Sequence, residues 1–184
     1  MHQIIATGIT TLDEARYFAA MGVDWIGFNA DQLTVDDMRS LSEWVAGPVL
    51  FAEMSAVREE QLFEIVNKTK LQGICVQSPD LIPPWYDGIV ITKLSFESWE
   101  IHEPGSKVLL IQLATADIDH MMLQKLRSWS MEYHCWLEIR SGWESIPALL
   151  SVIEVHGIVV RCIKDTDTVS TSFEQYDSIF ELLG

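Results

Sequence analysis

Short apolar runs recur along the chain, separated by stretches of mixed polarity. They are IIAT (4–7), WIGF (25–28), PVLFA (48–52), GICV (73–76), GIVIT (88–92), VLLIQL (108–113), CWLEI (135–139) and GIVVRCI (157–163), eight in all. Runs this short and this continuously apolar suit strands covered on both faces, as in a parallel sheet. Most are separated by segments of helical period: Leu12/Ala15/Ala19, Leu62/Ile65/Val66, Ile118/Met122/Leu126/Trp129, Ile146/Leu149/Leu150/Ile153 and Phe173/Tyr176/Ile179/Phe180. Capping chemistry supports the same division. Thr10 or Thr11 can cap a helix that carries Asp13 and Glu14 in its first turn, and Thr34 stands before Asp36 and Asp37 in the same way. Gly22 and Gly47 suit helix ends.

Strand and helix in strict alternation predict a parallel sheet, and eight such units close naturally into a (β/α)8 TIM barrel. With 184 residues the chain is short against the roughly 200 to 250 such barrels use. The shortfall falls in two crossovers. SPDLIPPWYD (78–87) holds three prolines, and SFESWEIHEPGS (95–106) has no sustained apolar stripe, so the crossovers after strands 4 and 5 are expected to be loops or a single helical turn. An open doubly wound sheet is the structural alternative. No Gly-rich phosphate-binding turn follows any of the runs to favour it.

Composition narrows the function. No Pro, Ser or Gly tract divides the chain, so residues 1–184 are read as one domain. Lys and Arg number 12 against 27 Asp and Glu, a formal net charge of -15, which repels nucleic acid and anionic membranes. An anionic small molecule then requires basic groups gathered locally. Cys75, Cys135 and Cys162 are odd in number and lie in or beside apolar runs, the pattern of reduced core thiols rather than a disulfide framework. No cationic leader or span-length apolar stretch is present, and the expectation is a cytoplasmic protein. The five histidines show no metal-ligand spacing, and the reading includes no metal and no cofactor.

One further pattern is more specific. Ile4-Ile5-Ala6-Thr7-Gly8-Ile9-Thr10, followed by Thr11-Leu12-Asp13-Glu14-Ala15, resembles the opening strand and helix of the phosphoribosylanthranilate isomerase family, and Ala20-Met21-Gly22-Val23-Asp24-Trp25-Ile26-Gly27-Phe28 is similar to its second strand. The resemblance covers about 25 residues, and beyond them strand order and spacing agree more than identity does. It implies a (β/α)8 barrel descended from an enzyme that isomerises a phosphoribosyl amine in tryptophan biosynthesis through an acid/base pair. Thr7 stands at the position of the family's general base, a cysteine, and Gln112 at that of its general acid, an aspartate. Neither side chain exchanges a proton usefully near neutral pH. The family's carboxylate-binding arginine has no counterpart between Asp31 and Thr34, and its fourth-strand motif is represented by Val76-Gln77-Ser78-Pro79. Its two phosphate-binding turns correspond to Arg140-Ser141-Gly142 and Arg161-Cys162-Ile163.

In TIM barrels function sits at the C-terminal strand ends. Taking every second strand residue as inward facing gives Thr7, Asn29, Glu53, Gln77, Lys93, Gln112, Glu138 with Arg140, and Arg161. Alternate strands share a layer, so Glu53, Lys93 and either Glu138 or Arg140 come within pairing reach. One reading is a self-neutralising ion network closing a degenerate site. Another is a pocket in which Lys93, Arg140 and Arg161 hold an anion, with Asn29, Gln77, Ser141 and Gly142 as further ligand contacts. A third gives catalysis to Lys93 as a Schiff-base nucleophile, or to Glu53 or Glu138 as a proton carrier. Trp85, Trp99 and Trp143 fall in predicted loops or at a helix start and are read as packing over a thinned barrel wall. The two short crossovers on that side also raise homodimerisation. Two function classes therefore stay open: an isomerase, and a non-catalytic barrel that binds an anionic, phosphorylated metabolite or a protein partner.

Overall fold

A computed structural model describes residues 2–95, 106–115, 118–163 and 173–183. Eight parallel strands pair in chain order and close, with β1 (Gln3–Ile9) hydrogen-bonded to both β2 (Trp25–Asn29) and β8 (Gly157–Arg161). Between them run β3 (Val49–Glu53), β4 (Gly73–Val76), β5 (Ile89–Ser95), β6 (Val108–Leu113) and β7 (His134–Ile139). Among the described residues the helices are α1 (Leu12–Ala20), α2 (Val35–Trp44), α3 (Glu59–Lys68), α4 (His120–Glu132), α5 (Ile146–Val152) and α6 (Glu174–Leu183). The eight expected strands and the barrel are borne out, and the open sheet is excluded by the β1–β8 pairing.

Local chemistry sets the helix starts. Thr11, not Thr10, is the cap of α1: its hydroxyl accepts from the Glu14 amide while the Glu14 carboxylate accepts from the Thr11 and Thr10 amides. Thr34 and Asp37 form the same reciprocal pair on α2. Gly22 follows α1 at φ 77°, as a helix stop requires, whereas Gly47 (φ 110°) lies in the connection to β3, beyond the end of α2 at Trp44. After β4 the crossover holds one 3-10 turn, Pro79–Leu81, as its prolines predict. The crossover after β5 falls largely outside the described residues, Trp99 with it.

Several strand limits differ from the apolar runs, most clearly in β5 and β8. The run ending at residue 92 continues in β5 through Lys93 to Ser95, because these polar residues pair with Leu110 and Gln112 of β6. The run at 157–163 stops as a strand at Arg161, although the Cys162 amide still donates to the Thr7 carbonyl. Tertiary pairing, not hydrophobicity, set both limits.

The barrel interior is filled by Ile5, Phe51, Cys75, Ile91, Leu110, Trp136 and Val159, with Trp25, Ile89 and Val108 against them. Two glycines admit the large rings: a Cβ on Gly27 would lie 2.5 Å from the Phe51 ring, and one on Gly157 would lie 2.9 Å from Trp136. The outward strand residues pack beneath the helices in two further clusters. With the lower barrel closed by aromatic rings, polar groups are left to the mouth. Among the described residues no helix is long and apolar enough to cross a membrane.

Candidate functional site at the barrel mouth

The strand ends converge on a connected set of charges. Glu53, at the last position of β3, is 2.6 Å from Lys93 Nζ of β5 and 2.5 Å from Arg161 Nη2 of β8. Arg161 also donates through Nε to Glu138 Oε1 of β7 at 2.8 Å, and Gln112 Nε2 of β6 donates to the same oxygen at 2.9 Å. The order Lys93–Glu53–Arg161–Glu138–Gln112 thus crosses five strands and carries two positive and two negative groups. Glu53 and Glu138 are buried, and Lys93 and Arg161 keep 17% and 28% of their side chains exposed, so the cations form the wet rim. Burial pushes the Glu53 carboxyl up, but Arg161 and Lys93 more than reverse this and hold it below its ordinary value. Burial likewise opposes the Arg161 charge, and its hydrogen bond to Glu138 and the charge of Glu53 raise its pKa regardless.

A backbone irregularity completes the cluster. The β1–β2 register shifts between Ala6 and Ile9, and within that bulge Gly8 adopts φ 76°. Its freed amide donates to Glu53 Oε2 at 3.1 Å. A Cβ at this position would sit 3.0 Å from the Cys162 carbonyl and 3.3 Å from Arg161 Nη1, so glycine is required both by conformation and by space.

The other residues singled out from the sequence take varied positions. Thr7 is fully buried, faces Arg161 in the β1–β8 register, and its hydroxyl is the one buried side-chain polar atom among the described residues without a hydrogen bond. Asn29 turns back to accept from the Asp31 amide, and Gln77 stands exposed on the rim. Arg140 corrects the alternation argument: β7 ends at Ile139, so Arg140 leaves the strand and is exposed, pairing with neither Glu53 nor Lys93. Of the alternatives for β7, Glu138 enters the cluster, and it does so through Arg161 rather than Lys93. Ser141 donates to the Ala114 carbonyl, and Gly142 takes the left-handed conformation (φ 79°) that opens the 3-10 turn Trp143–Ser145. Cys75, Cys135 and Cys162 are buried and none is in a disulfide, and burial drives the Cys135 thiol up to about 12, far from reactivity at neutral pH. Among the described residues no group of three His, Cys, Asp or Glu is placed to hold a metal.

Two cavities open beside the cluster. A small one of about 130 Å³ lies over its β3–β5 side, bounded by Asn29, Asp31, Glu53, Gln77 and Lys93. A larger cleft of about 460 Å³ opens at the ends of β7 and β8, lined by the charged Glu138, Arg140 and Arg161 and by Trp143, Tyr176 and Ile179. Arg161 borders both. The apolar wall from α6 was not foreseen; its helical period was visible, but nothing local says which neighbour receives it.

A closed parallel barrel with its ionisable groups at the C-terminal strand ends defines a (β/α)8 barrel of the TIM type, with the candidate site where such barrels place theirs. The solved structures it resembles include phosphoribosylanthranilate isomerases. That from Thermus thermophilus is 16% identical with a TM-score of 0.71, over 98% of each chain. Monomers generated from the dimeric enzyme of Thermotoga maritima give 14% and 0.71, over 100% of this chain and 97% of that one. A further isomerase, in complex with reduced 1-(o-carboxyphenylamino)-1-deoxyribulose 5-phosphate, gives 14% and 0.69, again over 100% and 97%. No family model and no curated protein matches the sequence. The fold implied by the N-terminal resemblance is therefore borne out, at identities that carry the fold alone.

Proposed function

We propose that this chain is a phosphoribosylanthranilate isomerase-type barrel that has given up the isomerisation and keeps an anion-binding cleft. The cleft at the ends of β7 and β8 carries the reading: it is about 460 Å³ in volume and two arginines line it. Arg161 uses Nε and Nη2 on the two glutamates, which leaves the Nη1 donors without a hydrogen bond among the described residues. Exposed Arg140 supplies a second guanidinium, a fork suited to a phosphate or carboxylate. The Trp143 and Tyr176 rings, which also line it, offer an apolar surface for the remainder of a sugar phosphate or aryl ligand.

The residues at the mouth support loss of the inherited reaction. If Thr7 and Gln112 occupy the base and acid positions, each replacement costs on the order of 10² to 10⁴ in rate. The Thr7 hydroxyl has no base beside it, and Gln112 is spent on Glu138. Lys93, Glu53 and Glu138 are committed to one another through Arg161, which favours a charge-balanced scaffold for the cleft over independent nucleophiles or proton carriers. The three buried cysteines, none in a disulfide, support a reducing, cytoplasmic setting.

Complementation of an isomerase-deficient tryptophan auxotroph is expected to give no growth, and robust growth would restore the enzyme reading. Thermal-shift titration with inorganic phosphate and ribose 5-phosphate is expected to raise the midpoint, and Arg140→Ala to abolish the rise without lowering the unliganded midpoint. Absence of any anion effect would remove the binding reading.

A further inference from the structure

At the opposite end of the barrel lies a cleft of about 490 Å³ that none of the mouth chemistry uses, lined by His2, Gln3, Ser130, His134, Glu154 and His156 among others. Three histidines separated by up to 154 positions in sequence meet there across the seam where β1 closes onto β8 and β7. Each is held by a defined bond. His2 Nδ1–H donates to the Val155 carbonyl at 2.8 Å. His134 Nε2–H donates to Gln3 Oε1 at 3.0 Å, an oxygen that also accepts from Trp136 Nε1–H at 3.2 Å. His156 works in the other sense: its Nδ1 accepts from the Cys135 backbone amide at 3.2 Å, and its ring lies 4.1 Å from that of His134.

The physical reason is the seam itself. The His156 amide donates to the Cys135 carbonyl and the Gln3 amide to the His156 carbonyl, so residue 156 stitches β7 and β1 together just before β8 begins. The chain has not yet entered β8 there, and the imidazole supplies the acceptor that a strand carbonyl would otherwise give to Cys135. An acceptor nitrogen means an uncharged ring. On protonation Nδ1 carries a hydrogen that faces the Cys135 N–H, and the acceptor is lost.

We propose that His134 and His156 form an acid-sensitive clasp on the closing seam of the barrel, closed when both rings are neutral and opened by protonation. Two imidazolium rings 4.1 Å apart repel, and the buried Cys135 amide loses its partner at the same step. The surroundings do little to neutralise that charge. Glu154, an exposed residue, is the one carboxylate lining the cleft, His2 is its third histidine, and β1 and α4 contribute neutral Gln3 and Ser130. Lys107, at the approach to β6, gives its carbonyl to the His134 amide. Burial, and then the nearness of His156, hold His134 below its ordinary 6.5. A histidine depressed in the fold stabilises above its unfolded pKa, and that stabilisation is lost as pH falls through the folded one.

The test compares thermal midpoints from about pH 7.5 to about pH 5 for the native chain and for His134→Gln/His156→Asn. The double variant keeps a donor toward Gln3 and an acceptor toward Cys135 without a titrating ring. The native chain is expected to lose about tenfold in folded-to-unfolded ratio per pKa unit of depression, and the variant to lose clearly less over the same range. Equal pH slopes in the two proteins overturn the proposal. Should the variant not fold, proton NMR titration of the native histidines decides: His134 titrating below 6.5 supports the clasp, and titration at or above that value overturns it.

Discussion

Replacing Arg161 with Met tests whether the mouth cluster holds the barrel together. Methionine keeps most of the apolar stem and deletes the guanidinium. Glu53 would keep Lys93 at 2.6 Å and the Gly8 amide at 3.1 Å, so its loss is partial. Glu138, 1% exposed, would keep, among the described residues, only the Gln112 amide at 2.9 Å, so the penalty concentrates on that carboxylate. Removing one partner of a buried pair costs about 3 to 5 kcal/mol, and the 28% exposure of the Arg161 side chain lets water reach the gap, which points to the lower end, about 3 kcal/mol. For a chain of this length that corresponds to a fall of about 6 to 12 °C in the melting midpoint, read by circular dichroism at neutral pH. Adding Glu138→Gln to Arg161→Met should recover most of the fall, because the stranded charge is then gone. A fall below about 2 °C, or no recovery in the double variant, would refute the argument.

Three further outcomes are expected. Glu53 has its carboxyl held below the ordinary 4.5, so its stabilisation is present above that value and lost as pH falls below it; an acid transition there should move upward when Lys93→Met removes one of the two cations, and an unmoved transition counts against the pairing. Gly8→Ala should cost about 2 kcal/mol or more in chemical denaturation, since the left-handed backbone and the Cys162 carbonyl 3.0 Å from the new Cβ both oppose it. Phe63, Leu81 and Trp85 are exposed beside the short β4–β5 crossover, with the Phe63 and Trp85 rings 5.9 Å apart; if this face joins two copies, light scattering at micromolar concentration gives a dimer that Phe63→Glu dissociates, and a monomer throughout removes homodimerisation.

The strands were legible because a strand covered on both faces must be nearly all apolar, a demand each run meets within itself. Thr11 and Thr34 were legible as caps for a similar reason, since capping is settled over four residues. Alternation also pointed Glu53, Lys93, Gln112 and Glu138 inward, because parity along a strand needs no knowledge of its neighbours. It erred at Arg140, where parity continued past the point at which β7 stops pairing.

Which charges touch was a different matter. Arg161 reaches across to Glu53 and Glu138 because closure makes β8 a neighbour of β1 and β7, and no local pattern encodes that reach. The Gly8 bulge, the α6 wall of the cleft and the meeting of His2, His134 and His156 arise in the same way. By itself the sequence determined the alternating elements, the barrel class and the polar residues at the strand ends, all consequences of short-range periodicity and burial. The tertiary structure alone decided the order of the ion network, the two clefts and the histidine seam, because each joins residues brought together only when the eighth strand closes on the first.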